Sequence, residues 1–200
     1  IYLFWLASLY YFQRLQEVAS SSSIRTTAML GILRCSQNIG DKTSVIETAS
    51  SLLAVNSLAE DIRQEALYSR AKAYLEEKQY GLAVVDFTPL AKEVRTAMGA
   101  EAKYQLAYCY FLLGSMDMAE QEVMSFTKMQ TTQQYWLAKS MILLADINVQ
   151  RNDTFQAKQY LLALKTNYRQ KDDIQDIIMQ KLAQLEEQGA TSSTNEEVQL

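Results

Sequence analysis

AKYQLAYCYFLLGSMDMAEQEVMSF, residues 102–126, decides the fold of this chain. Its first half carries Leu106, Ala107 and Tyr110, and its second half Ala119, Val123 and Phe126. Apolar and small residues recur three and four apart in both halves, the spacing of one face of a helix. Gly114 lies between them, where a residue free to take a left-handed conformation can end one helix before the next begins. The stretch therefore predicts two short amphipathic helices joined by a tight turn. A lone hairpin of this kind cannot bury its own apolar face, so copies of it must stack.

Composition points the same way. Six Gly and one Pro in 200 residues leave few helix-breaking positions, and Ala, Leu, Gln, Glu and Lys abound. Alternating runs of Val, Ile and Thr, the mark of strands, are absent, so the chain is expected to be all-α. A net charge of −4 with scattered Lys and Arg provides no basic stripe, which argues against nucleic acid as a partner. Cys35 and Cys109 lie far apart beside apolar residues and read as buried free thiols. With no initiator Met and no basic leader region, the chain reads as a piece of a longer protein, and its compartment stays open.

Outward from the central stretch, the same grammar repeats. Residues 1–12, IYLFWLASLYYF, form the most apolar run, but a membrane span needs about 20 such residues. A helix over residues 1–19 is expected instead, buried in preference to interfacial, with an exposed apolar end if a repeat stack is cut there; a serine loop follows, in which Ser23 can cap the next helix. Helices are predicted over 24–38 and from the Asp41 cap to about 54, over 58–78 and 81–94, and over 133–150 with Thr132 as cap. Two more are predicted, one from Thr154 to near Asn167 and one over 174–187 capped by Asp172 or Asp173. Pro89, inside the fifth of these, predicts a kink or an open hydrogen bond near Val85. Residues 188–200, with almost no apolar content, are expected to be a disordered tail.

Alignment of these hairpins yields a period. Arg70, Ala71, Tyr74, Lys78, Ala83, Phe87 and Leu90 match Leu106, Ala107, Tyr110, Gly114, Ala119, Val123 and Phe126, 36 residues on. A further 38 residues on stand Leu144, Ala145, Asn148, Asn152, Ala157, Leu161 and Leu164. Degenerate copies run backwards through Gly40, Val45, Ala49 and Leu52 to Ser8, Phe12 and Leu15, as though the chain opened on the second helix of a hairpin.

This pattern resembles the tetratricopeptide repeat: a Leu-Ala pair, an aromatic three later, then a turn Gly, an Ala and larger apolar residues. The match is good over about 60–168 and poor over 1–55, and the units exceed the usual repeat of about 34 residues and lack its closing Pro. The phrases GAEAKYQLAYCYF, YWLAKSMILLAD and FQAKQYLLALKTNY resemble the C-terminal part of large tetratricopeptide proteins of Bacteroidetes-type bacteria. The resemblance implies an α–α superhelix. Its parts would be a truncated hairpin at 1–19, a degenerate repeat at 24–55, clearer repeats at 60–95, 99–129 and 133–168, and a capping helix at 172–187. It also implies a non-enzymatic scaffold, in a bacterial cell envelope, that binds a protein or peptide along its concave groove.

Chemistry of other kinds is not written in the chain. There is no His, no Gly-rich phosphate loop, no zinc spacing and no nucleophile elbow, so no catalytic, cofactor or metal residues are expected. Acidic pairs such as Glu76-Glu77 and Asp172-Asp173 fall at helix ends and read as caps or solvated faces. In the family's register the groove would be lined by Tyr68, Lys72, Leu75, Tyr104, Tyr108, Phe111, Ile142, Asp146 and Val149. Its tyrosines suit an extended or helical peptide, or pack within the stack; they depart from the Lys, Asn and Arg set that clamps a terminal carboxylate. Self-association through residues 1–12 is the alternative activity. Arg70 breaks the repeat's own rule by standing where Leu106 and Leu144 stand. A buried guanidinium needs a partner, and Asp86 on the next helix is the predicted one.

Overall fold

The computed structural model describes residues 1–197, with side chains described through residue 187. Among the described residues the protein is all-α, ten helices with no strand. It divides into two compact units, residues 1–92 and the chain from Glu93 onward.

The first unit holds α1 (Tyr2–Val18), α2 (Ser22–Ile39), α3 (Lys42–Leu53), α4 (Glu60–Glu76) and α5 (Tyr80–Leu90). Each helix packs on the next in the chain, and α2 also touches α4. Met29, Leu33, Val45, Ala49, Leu52, Leu58, Ala66 and Ala73 make one core between α2, α3 and α4. The bidentate pair of Arg34 with Glu65, at 2.6 and 2.7 Å, ties α2 to α4 at the surface.

The second unit holds α6 (Ala97–Leu112), α7 (Met116–Lys128), α8 (Gln134–Gln150), α9 (Thr154–Asn167) and α10 (Ile174–Glu197). Again consecutive helices pack, and α6, α8 and α10 meet side by side. The apolar faces read from the sequence are the ones that close. Ala107, Ala119 and Val123 join Leu143, Leu144 and Ile147, while Ala145, Ala157 and Leu161 join Ile174, Ile178 and Leu182. Ala71, Ala83, Ala107, Ala119 and Ala157 are wholly buried, so these small positions are where paired helices come closest.

All four hairpin turns share one geometry. Gly40, Lys78, Gly114 and Asn152 hold φ of +83°, +59°, +74° and +61°. The next amide in each case (Asp41, Gln79, Ser115, Asp153) donates to the carbonyl five residues back, at 2.8–3.0 Å. That is a Schellman closure, which satisfies carbonyls the helix end would otherwise leave open. Two of the four positions lack glycine and carry the cost of a left-handed L-residue.

Several sequence expectations need correcting. None of the α1 residues is buried, so of the two expectations for this run it is the exposed apolar face that is found. Among the described residues α1 packs on α2 alone, and Trp5, Ser8, Leu9, Phe12, Leu15 and Gln16 are its half-buried residues. The Phe12 ring sits over Gly31, where a Cβ would come within 2.4 Å of it. Tyr2, Leu3, Phe4, Leu6, Tyr10 and Tyr11 stay exposed. The caps fall one or two residues earlier than read: Ser21 rather than Ser23 for α2, and Asp153 rather than Thr154 for α9. The α8 turn is bonded by Thr131, whose hydroxyl accepts from the Gln133 amide, rather than by Thr132. The helix expected over 81–94 ends at Leu90, one residue after Pro89, whose ring cannot donate to Val85. The helix expected to end at 187 continues to Glu197, through ten residues assigned to a disordered tail. No proline interrupts that stretch, and one glycine costs a helix only about 1 kcal/mol. Residues 198–200 of the same expected tail lie outside the described residues.

Candidate binding face

Helices α6 and α8 bring four aromatic residues of the second unit, Tyr104, Tyr108, Phe111 and Trp136, into one row. Tyr104, Tyr108 and Phe111 follow one another on α6 at i, i+4 and i+7, so their rings lie along a single stripe. Tyr104 and Tyr108 are nearly parallel (9°) with centroids 6.0 Å apart, and Tyr108 and Phe111 continue the row at 6.4 Å and 14°. Trp136, from the first turn of α8, extends it at the other end, 5.6 Å from Tyr104. Tyr135 meets Trp136 edge to face, at 5.1 Å and 80°. The Lys139 ammonium stands 5.8 Å from the Tyr104 ring centroid, close enough for a cation–π attraction.

These rings are half-buried. Tyr104, Tyr108 and Phe111 rest on the core formed by Ala107, Ala119, Val123, Leu143, Leu144 and Ile147. Internal packing and an accessible surface therefore coexist in the same side chains. Burial first, then the neighbouring Tyr108, Asp146 and Tyr135, pushes the Tyr104 phenol well above its ordinary range. It remains a neutral hydroxyl, able to donate and accept.

The remaining residues singled out from the sequence divide between other places. Tyr68 and Lys72 belong to the first unit, where the Lys72 ammonium lies 3.4 Å from the Tyr68 hydroxyl and 5.2 Å from its ring centroid. Both border a cavity of about 280 Å³ with Ser36, Gln37, Lys42 and Glu76. Asp146 is bound to Lys181 of α10 at 2.5 Å, which makes it a tie between helices. Ile142, expected on the groove, is instead buried among Ala138, Ala145, Leu161 and Ile174. Four residues after Ala138 and three before Ala145, it lies on the same core-facing side of α8 as they do.

Arg70 is half-buried, and its guanidinium forks onto Asp86: Nε donates to Oδ2 at 2.7 Å and Nη2 to Oδ1 at 2.8 Å. The third arm, Nη1, donates to the Ser50 hydroxyl at 2.9 Å. The Asp86 bond, opposed in part by burial, raises the Arg70 pKa further. An analogous site went unread in the sequence. Lys103, 7% exposed, donates to Glu122 at 2.5 Å and to Ser125 at 3.1 Å. Glu122 stands 36 residues after Asp86, so the register carried the signal for the acid; its base had moved by one helical turn.

Among the described residues no group of His, Cys, Asp and Glu could hold a metal ion, and no helix is long and apolar enough to cross a membrane. Comparison of the chain with protein-family models, curated proteins and solved structures finds no match.

Proposed function

We propose that this protein is a non-enzymatic interaction scaffold of tetratricopeptide type. Its partner, a protein or peptide, is held on the aromatic row of Trp136, Tyr104, Tyr108 and Phe111. That row carries the proposal. Aromatic rings offer large apolar area at low rotamer cost, and tyrosine adds a hydroxyl that can pair with a backbone. Their stacking and their seat on the core hold them in place before a partner arrives, so little ordering is left to oppose binding. The shared turn at Gly40, Lys78, Gly114 and Asn152 supports the family reading, because each falls at the repeat's own spacing.

Panning a random peptide library against the immobilised protein tests this function. Enriched peptides should bind at least tenfold more weakly to Tyr108→Ala and to Phe111→Ala, with far-UV circular dichroism unchanged. Enrichment of peptides that bind both variants as well as the parent would place the activity elsewhere.

A second reading rests on α1. Its exposed Tyr2, Leu3, Phe4, Leu6, Tyr10 and Tyr11 form an apolar face of the kind that marks a docking surface. On this reading the helix serves self-association. Light scattering on the full chain and on residues 20–200 separates the two: a dimer that becomes a folded monomer on truncation favours it, and a monomer in both cases removes it.

A further inference from the structure

We draw no further inference here: the strongest candidate, the cavity between α2, α3 and α4 where Lys42 and Lys72 converge, carries nothing, because Lys42 already answers Glu76 and Glu77 and no polar side chain around it is left buried without a hydrogen bond.

Discussion

Arg70 and Asp86 face each other across the α4–α5 hairpin in a two-bond fork, with the Asp86 side chain 3% exposed and that of Arg70 20% exposed. The other hairpins place Leu106 and Leu144 where Arg70 stands, so the pair replaces apolar packing with an ion pair at one step of the repeat. Breaking such a pair costs much more than replacing it, because the surviving charge stays behind without its counterion.

Asp86→Ala should therefore lower stability by about 2–4 kcal/mol, slightly below the range for fully buried pairs because Arg70 retains some solvent. The double variant Arg70→Leu/Asp86→Ala should recover most of that loss, since leucine is the residue the register already accepts. Urea unfolding of the parent, the single variant and the double variant reads both numbers. A double variant as unstable as Asp86→Ala would show that the pair does something that leucine cannot replace.

The hairpin turns make a second prediction, of opposite sign at neighbouring copies. Lys78 holds a left-handed conformation that costs an L-residue roughly 1–2 kcal/mol, part of which glycine returns as unfolded-state entropy. Lys78→Gly should stabilise by about 0.5–1 kcal/mol, and Gly114→Ala should destabilise by a similar or larger amount. Asn152→Gly should gain less, because asparagine tolerates this conformation better than lysine. Thermal unfolding of the three variants checks the order.

Burial governs the two cysteines. It raises the Cys35 thiol and pushes Cys109 up to about 12. Both should resist alkylation in the native state at pH 8 and react at full rate in denaturant. The sign of the pH effect follows from linkage. A folded pKa raised above the unfolded value of 9.0 leaves the Cys109 contribution intact below pH 9 and removes it as pH climbs towards about 12. The parent should lose stability faster than Cys109→Ala across that window. Equal slopes would mean the thiol is not the group responsible.

Much of this fold is legible in the sequence, and the part that is legible is local. The turn at Gly114 and its register mates, the small alanines and the Arg70–Asp86 pair all follow from period and burial, because each involves one hairpin. What escaped depends on neighbours that periodicity does not identify. Trp136 reaches Tyr104 only because α6 and α8 lie side by side. Lys103 meets Glu122 within one hairpin, and it escaped because it stands one turn before the register position. The exposure of α1 has the same origin: apolar residues alone leave open whether a neighbour covers them, and packing decides it. The helix caps slipped by a residue or two because Ser21, Ser22 and Ser23, or Asp153 and Thr154, are chemically equivalent candidates.

Trp136 belongs to the aromatic row proposed to hold the partner and is a reporter built into it. With Trp5→Phe as the background, Trp136 is the sole tryptophan. Titration with a peptide selected on the parent protein should shift Trp136 emission saturably, and the shift should vanish in Tyr108→Ala. A peptide that binds by calorimetry with unchanged Trp136 emission, and with affinity indifferent to Tyr108, would contradict the account.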